Sequence, residues 1–443
     1  MQNQPFIRDL GNGLILRHAS KRDARALADF NARMHGDDKA DGLRVAAWTR
    51  DLIAKPHPTV TANDFMIVEE TASRRIVSSL GLIPQTWTYD GIPFNMGRPE
   101  LIATLPEFRG RGLIRIQFDE VHKWCEQRGL IVQGITGIPY FYRQFGYEMA
   151  LEFVGRRFGF EPNVPRLKKG KRETYRIRPA LKRDLAFIAR TYAETQNRYM
   201  LSCLRGPDVF EYELQTQSKS NAQFFELRII EDARGKRIGY FQHPNHLGLT
   251  GLTAVGYELQ PGASWLGVTP AVVRYLWATG EKYARRDKQT RVSFGFMLGT
   301  EHPAYEALAD SLPVVRDPYA WYLRVADLPG FLRHIAPVLE KRLAESIACG
   351  YSGSLKISFY TSGLRMLFRN GKLKKVETWK PVNNDDEGDA AFPGRTFLQA
   401  LFGYRSFDEL RYAFKDCHYE NINARVLLNI LFPKRLSDVF PVF

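Results

Sequence analysis

Residues 98–147 decide the fold and read RPELIATLPEFRGRGLIRIQFDEVHKWCEQRGLIVQGITGIPYFYRQFGY. The apolar run at 101–105 predicts a buried strand that ends at Pro106. A basic, glycine-rich turn, Arg109-Gly110-Arg111-Gly112, follows this strand. After the turn, apolar residues recur at the spacing of one buried helix face: Ile114, Phe118, Val121 and Cys125. The stretch therefore predicts a strand, a glycine turn and a helix, in that order.

This order of elements is typical of a site that binds an anion. Glycine lets the backbone approach a ligand closely, and the first N–H groups of a helix have no partner within the helix. The helix dipole favours negative charge there, and arginine binds phosphate through charge-assisted hydrogen bonds. Neither Gly-Lys-Ser/Thr nor GxGxxG occurs at the turn, so the P-loop and dinucleotide motifs do not fit. On the turn alone, a surface loop before a helix remains an alternative.

Two blocks together are more specific than the turn. The block PEFRGRGLIR at 106–115, followed by YFYRQFGY at 140–147, resembles the GNAT superfamily of N-acyltransferases. Members of that family usually have a small residue two places after the last glycine of the turn, where this chain has Ile114. This departure resembles one branch, the enhanced intracellular survival acetyltransferases, in which a bulky aliphatic residue is common at this point.

The resemblance implies a site for acetyl-CoA, as acetyl donor, with no metal. Ile102, Ala103 and Thr104 would form the strand that faces the pantetheine arm. Gly137 and Ile138 would belong to a second strand, which splays away to admit the cofactor. The pyrophosphate would be held by the turn and the first helical residues: Arg109, Gly110, Arg111, Gly112, Leu113, Ile114 and Arg115.

Acetyl transfer to an amine needs a base for the amine and an acid for the departing thiolate. By resemblance, Tyr142 is the acid, although five aromatic residues between 140 and 147 must mostly pack together. Relatives use their own C-terminal carboxylate as the base, and the apolar, proline-containing end at 439–443 is typical of a docked tail. Phe443 is therefore the first candidate base. Glu100, just before the cofactor strand, is either the second candidate or a solvated strand end.

The chain contains an internal repeat. LRHASKRD at 16–23 recurs as IRPALKRD at 177–184, and both segments continue into a helical pattern, which predicts duplicated domains. The second copy has PGASWL at 261–266 where the first has its arginine–glycine turn, before a predicted helix at 269–286. We therefore expect the second copy not to bind acetyl-CoA and to cover one side of the acceptor pocket. Its predicted strands are 224–230, 238–241 and 252–259.

From about residue 327 the pattern changes. A helical segment at 331–348, a hairpin at Asn370-Gly371, an acidic loop at 383–389 and helices at 397–403 and 407–414 are predicted. This order resembles the sterol-carrier-protein-like domain that closes the family's chains. The predicted fold class is α/β (α+β): an active GNAT domain at 1–160, a degenerate GNAT-like domain at 161–326 and a smaller sterol-carrier-protein-like α+β domain at 327–443.

The net charge of +15 suits either nucleic-acid binding or a general field that attracts an anionic cofactor. Basic residues are dispersed except at 168–172, and no nucleic-acid motif is recognised, so the second interpretation is favoured. Four distant cysteines without a CxxC pair favour buried thiols in a reducing cytoplasm over disulfides or zinc. No signal-peptide core or membrane-length apolar run is present, so we expect a cytoplasmic protein.

Three functions remain open on the sequence. The first is an N-acetyltransferase that acts on a primary amine of an aminoglycoside, polyamine or lysine-type acceptor. By resemblance to its relatives, such an enzyme would assemble into a homo-oligomer. The second is a non-catalytic acyl-CoA-binding sensor. The third is a nucleic-acid-binding or scaffold protein built on the same fold. Retention of Tyr142 favours the enzyme over the sensor.

Overall fold

The computed structural model of the chain describes residues 6–248, 251–289, 293–380 and 388–443, so most of the predicted acidic loop at 383–389 lies outside the described residues. We call residues 1–160 the first copy, 161–326 the second copy and 327–443 the third region. The elements of the first copy are β1 Ile7–Gly11, β2 Leu14–His18, α1 Ala24–His35, α2 Lys39–Ala54, β3 Phe65–Glu70, β4 Arg75–Tyr89, β5 Ile92–Thr104, α3 Leu113–Gln127, β6 Val132–Ile135, β7 Glu148–Phe153 and β8 Arg156–Gly159.

The second copy and the third region follow. The elements of the second copy are β9 Arg176–Pro179, α4 Leu185–Gln196, β10 Leu201–Cys203, α5 Pro207–Glu211, β11 Phe225–Glu231, β12 Arg237–Pro244, β13 Leu252–Ala254, β14 Gly256–Leu259, α6 Trp265–Arg286, β15 Phe294–Phe296, α7 Pro303–Ala307, β16 Val314–Arg316 and β17 Tyr319–Val325. The elements of the third region are α8 Leu328–His334, α9 Ala336–Ala344, β18 Gly353–Ser358, β19 Gly363–Arg369, β20 Lys372–Trp379, β21 Ala390–Ala391, α10 Phe397–Leu401, α11 Phe407–Ala413, β22 His418–Tyr419 and α12 Ile422–Leu431.

The largest sheet positions the candidate site. Its strand order is β1-β2-β3-β4-β5-β6-β17-β7, and β10 pairs with the end of β4. Within the described residues, β5 and β6 pair in parallel only at Met96–Val132 and Gly97–Gln133. Residues 98–104 of β5 therefore have no ladder hydrogen bonds to β6, and the two strands part where the cofactor strand is predicted. The predicted strand at 101–105 is the end of β5, which is 13 residues long.

The two copies exchange strands. β17 of the second copy lies between β6 and β7 of the first. β8 of the first copy lies between β15 and β16 of the second. Each sheet is thus completed by a strand that the sequence assigns to the other copy. Hydropathy patterns identify strands but not their partners, so the sequence did not predict this exchange.

The remaining sheets confirm the mixed α+β class. The second copy has one sheet in the order β14-β12-β11-β9 and another in the order β13-β15-β8-β16. The third region has the order β20-β19-β18-β21-β22. The single strand predicted at 252–259 is wrong, because it is divided into β13 and β14. The helix predicted at 269–286 begins earlier, at Trp265, because Ser264 caps it and Pro270 is tolerated close to the helix start.

The hydrophobic core joins the three parts. The aromatic end of the β4–β5 hairpin packs with β17 and the third region through Trp87, Trp321, Phe331 and Phe402. Cys349 is exposed, which corrects the prediction of buried thiols, whereas the other three cysteines are buried. In the described ranges, no helix has the length and apolar character that a membrane crossing requires.

Candidate active site

A β-bulge shapes the strand on which the site is built. Ser79 pairs with Ala103 and Gly81 pairs with Glu100, so two residues of β5 stand opposite one residue of β4. At the bulge, Leu101 is buried and has a φ of 53°, a conformation that strains a leucine. A bulge bends a strand and changes the direction of its side chains. The strand predicted to face the thioester arm therefore leaves the regular ladder at the point where the site begins.

The glycine turn after β5 is open to solvent. Gly110 and Gly112 have φ values of 75° and 73°, and a Cβ added at either would meet no described atom within 4 Å. Glycine is thus required by the backbone conformation rather than by crowding. Gly112 is the N-cap of α3, and among the described residues no side chain caps this helix start. The first N–H groups of α3 are therefore available to an anion.

A cavity of about 350 Å³ lies beside the turn. Arg109 Nε donates to the Thr104 carbonyl at 3.3 Å, which folds the turn back onto the strand end. Arg115 Nη2 donates to Gln144 Oε1 at 3.1 Å. The side chain of Leu113 is buried, so this residue offers mainly its backbone. The cavity is lined by Thr104, Phe108, Arg109, Gly110, Arg111, Gly112, Leu113, Ile114, Arg115, Phe141, Gln144 and Phe145.

The predicted acid lies at the end of β6. Tyr142 belongs to the 3₁₀ turn Phe141–Phe145, and its ring packs against Phe118 and Tyr322 with centroids 6.2 and 6.0 Å apart. Burial raises the pKa of Tyr142, and the charge of Glu100 raises it further. The hydroxyl thus keeps its proton at neutral pH, as an acid must. Gly137 lies against this hydroxyl, since an added Cβ would be 3.1 Å from it.

Ile138 differs from the other predicted cofactor residues. Its side chain is 60% exposed, and it is not among the residues that line the cavity beside the turn. Ile102 and Ala103 are half-buried and pack at the edge of the first copy's core. The strand end at Thr104 and the turn thus line one cavity, Tyr142 packs on Phe118 of the helix that follows the turn, and the side chain of Ile138 is exposed.

The last nine residues, 435–443, form a segment that we call the tail. Met200 N donates to the Leu436 carbonyl at 2.8 Å, and Asp438 N donates to the Leu201 carbonyl at 3.2 Å. The tail therefore runs beside β10, which in turn pairs with β4 of the first copy. These contacts guide the end of the chain toward β5.

The end of the tail is docked on the first copy. The Val442 carbonyl accepts hydrogen bonds from Gln85 Nε2 at 3.1 Å and Arg98 Nη1 at 3.4 Å. The Arg98 guanidinium lies 4.7 Å from the centre of the Phe443 ring, and the Trp48 ring packs edge-on against Phe443 at 6.4 Å. Phe443 therefore lies beside β5 and α2 rather than in solvent.

Arg98 contacts both residues that are candidates for the base: the carboxylate of Glu100 and the ring of Phe443. Glu100 Oε2 lies 2.5 Å from Arg98 Nη2, and this side chain pair is mostly buried. Burial lowers the pKa of Arg98, while the Glu100 carboxylate opposes that shift. The arrangement gathers an arginine, a glutamate and the Phe443 end of the chain within reach of the bulge. It has carboxylates that could accept a proton from an amine, and the charge of Glu100 also acts on Tyr142, the predicted acid.

Sequence reasoning gave no role to two residues of this group. Arg98 is the first residue of the stretch that decides the fold, but a single arginine before a strand carries no signal of an ion pair. His57 Nε2 lies 3.0 Å from a terminal oxygen of Phe443, 386 positions away in the sequence. No local pattern predicts such a contact.

In the second copy, the start of the corresponding helix is capped. Ser264 Oγ accepts the Gly267 N–H and so caps α6, whereas α3 has no such cap among the described residues. The Trp265 ring packs on Tyr257 at 4.9 Å and on His302 at 5.1 Å. A cavity of about 20 Å³ is lined by Tyr257 and His302 and by Asp438 and Phe440 of the tail, and no residue of the turn at 261–264 is among its lining residues. These contacts support the expectation that the second copy does not bind acetyl-CoA.

No metal centre accompanies the site in the described part of the chain. There, no group of three or more His, Cys, Asp or Glu side chains is placed to hold a metal ion.

Comparisons with known proteins bear on the family and the fold. Residues 16–150 match the family model described as the acetyltransferase (GNAT) domain. No curated protein sequence matches the chain.

Solved structures are similar along nearly the whole chain. A probable N-acyltransferase from Enterococcus faecalis V583 has 15% identity and a TM-score of 0.65, over 97% of this chain and 100% of that one. A GCN5-related N-acetyltransferase from Kribbella flavida has 16% identity and a TM-score of 0.60, over 99% of each chain. Eis1 from Mycobacterium abscessus has 12% identity and a TM-score of 0.60, over 96% of this chain and 100% of that one. These likenesses show a shared fold.

Proposed function

We propose that this chain, a GNAT-type N-acetyltransferase whose acetyltransferase domain covers residues 16–150, transfers acetyl from acetyl-CoA directly to a primary amine. The observation that carries the proposal is the difference between the two copies. The first has an uncapped helix start beside an open cavity of about 350 Å³, whereas in the second Ser264 caps the helix and Trp265 at the helix start packs on Tyr257 and His302. One acetyl-CoA would therefore bind per chain, in the first copy.

The cofactor would be held along β5 and the turn. Ile102, Ala103 and Thr104 have no ladder hydrogen bonds to β6, so backbone groups on that side would meet the pantetheine amides. The Ala103 and Thr104 carbonyls already accept hydrogen bonds from Ser78 Oγ and Arg109 Nε, respectively. The pyrophosphate would accept N–H groups at the start of α3 and charge-assisted bonds from the cavity-lining arginines. The adenosine end of the cofactor would lie at the solvent-exposed side of the cavity.

The reaction would proceed by attack of the neutral amine on the thioester carbonyl. The C–N bond forms and the C–S bond breaks as the tetrahedral intermediate collapses. The Tyr142 hydroxyl would donate its proton to the departing thiolate. Its raised pKa means that the hydroxyl is still protonated when the C–S bond breaks. A carboxylate would take the proton that the amine loses.

Phe443 is the favoured base, through its α-carboxylate. The alternative, Glu100, is already engaged in an ion pair with Arg98. One oxygen of the Phe443 carboxylate has a neutral partner, His57. The hydrogen bonds from Gln85 and Arg98 to the Val442 carbonyl hold the end of the chain beside β4 and β5, which supports this choice.

The acceptor class is an amine that is cationic in water. The carboxylates of Glu100 and Phe443 would attract an ammonium group before it loses its proton. Aminoglycosides, polyamines and lysine side chains share this chemistry. We also propose that the third region is sterol-carrier-protein-like, which the full-length similarity in fold to the solved acyltransferases supports. We further propose a homo-oligomer, as the family resemblance implies.

The test is release of free thiol from acetyl-CoA in the presence of an aminoglycoside, a polyamine or a lysine peptide, with hydrolysis without amine as the blank. Amine-dependent release, lost in Tyr142→Phe, is the expected result. If coenzyme A binds but no amine is acetylated, a non-catalytic sensor would replace the proposal. If coenzyme A does not bind, the cofactor assignment itself would be wrong.

A further inference from the structure

The contact between His57 and Phe443 joins two distant parts of the chain at the proposed active site. His57 lies in the loop after α2, between Pro56 and Pro58, which restrict the backbone on both sides. Its Nε2 atom is 3.0 Å from an oxygen of the last residue of the sequence.

The other ring nitrogen fixes which atom carries the proton. His57 Nδ1 accepts the backbone N–H groups of Thr59 at 3.1 Å and Val60 at 3.0 Å. An acceptor nitrogen cannot carry a hydrogen, so in the neutral ring the hydrogen is on Nε2. Burial lowers the pKa of His57 to about 4, which keeps the ring neutral at physiological pH. Nε2–H therefore donates to the Phe443 oxygen.

The ring has little freedom to turn away from this contact. Tyr212 of the second copy packs edge-on against His57, with ring centroids 4.5 Å apart. Next to it, Lys55 Nζ donates to the Thr216 carbonyl at 2.6 Å and to Ser218 Oγ at 2.7 Å, and so ties the same loop to the second copy. The loop, the second copy and the tail thus meet at one imidazole.

We infer that His57 is a positioning residue that orients the α-carboxylate of Phe443 toward the acceptor amine. This inference rests on the proposed function, in which that carboxylate is the base. A free chain end rotates about its last bonds, so one oxygen must be held if the other is to face the substrate. The fixed Nε2–H holds one oxygen and leaves the remaining lone pairs for the amine proton.

Two substitutions separate this role from a structural one. His57→Asn places an amide near the position of Nδ1, so it keeps an acceptor for Thr59 and Val60 and loses the donor. His57→Gln places its amide near the position of Nε2, so it keeps a donor for Phe443 and loses the acceptor. Lys55→Met is the matched control, because it removes a neighbouring link to the second copy without touching the carboxylate. A fourth protein carries one added glycine after Phe443, which displaces the carboxylate.

We expect His57→Asn to lower kcat about tenfold or more with an unchanged KM for acetyl-CoA, and His57→Gln to retain most of kcat. Lys55→Met should keep wild-type kcat. The added glycine should remove most activity, and His57→Asn should lower it no further in that background, because the group it positions is already displaced. Circular dichroism and thermal unfolding establish that each protein is folded.

The outcomes that oppose the inference are distinct. Full activity with the added glycine would refute the base and the inference together. If that extension abolishes activity but His57→Asn does not lower kcat, His57 does not position the base. A larger loss in His57→Gln than in His57→Asn would assign His57 a structural role in its loop. An equal loss from His57→Asn in both backgrounds would show that it acts on something other than the carboxylate.

Discussion

Gly112 and Gly262 offer a matched test of the cofactor site. Each lies in the turn before the long helix of its copy, with φ values of 73° and 85°. A Cβ at either position meets no described atom within 4 Å, so an alanine there is penalised by its backbone conformation and not by a clash. A left-handed alanine costs about 1–2 kcal/mol. Gly112→Ala and Gly262→Ala should therefore lower the free energy of unfolding by similar amounts.

The two substitutions should differ in their effect on coenzyme A. Gly112 is the N-cap of α3, and a change in its backbone would turn at least one helix N–H away from the pyrophosphate. One lost hydrogen bond to a charged group costs about 1.5–3 kcal/mol, which corresponds to roughly 10- to 100-fold weaker binding. Gly262 precedes a helix capped by Ser264, so its substitution should leave the affinity unchanged.

Isothermal titration calorimetry with coenzyme A measures the dissociation constant without an acceptor amine, and chemical unfolding of the same samples measures stability. The expected result is one site per chain, weakened in Gly112→Ala and unaffected in Gly262→Ala. Equal affinity in both variants, with equal losses of stability, would refute the assignment of the turn to the pyrophosphate.

Three further predictions follow from buried groups. Tyr142→Phe should lower kcat by roughly 10²–10⁴ without changing the affinity for coenzyme A, as steady-state kinetics and calorimetry would show; full kcat would refute its role as acid. Arg205→Met should lower the free energy of unfolding by about 3–5 kcal/mol, because it leaves Glu213 buried without its cation, and added Glu213→Gln should restore much of this in urea unfolding; no loss would show that water reaches the pair. Burial raises the pKa of Glu258 from 4.5 to about 7, so the folded state holds this proton more tightly than the unfolded state. The stability of the wild type relative to Glu258→Gln should therefore fall as pH rises from about 4.5 to about 7; a difference independent of pH would contradict the shift.

The sequence predicted the parts of the fold that depend on local pattern. The order strand, glycine turn and helix is confirmed by β5, the left-handed Gly110 and Gly112, and α3. Alternation of apolar residues, the φ requirement of a turn and helical spacing are all properties of neighbouring residues. The repeat at 16–23 and 177–184 likewise predicted two related domains, because each opens with the same strand and short helical turn.

The rest depends on contacts that no local pattern encodes. The strained bulge at Leu101 gives no sign in a run of apolar residues. The exchange of β8 and β17 is a matter of partner choice between strands of similar composition. The contacts of Phe443 with His57 and Arg98 bring the last residue to two residues that lie hundreds of positions before it. The family resemblance suggested a docked chain end, but the residues that hold it are visible only in three dimensions.

The central claim is direct acetyl transfer from acetyl-CoA to an amine at the first copy. Intact-mass measurement of a single turnover tests it most directly: the full chain is mixed with isotopically labelled acetyl-CoA, first without and then with a polyamine or aminoglycoside. We predict that the protein stays unmodified in both mixtures and that the labelled acetyl group appears on the amine, in one-to-one ratio with released thiol. A labelled acetyl-enzyme that forms without amine and then decays to product would contradict direct attack, and thiol release without any acetylated amine would contradict the acetyltransferase itself.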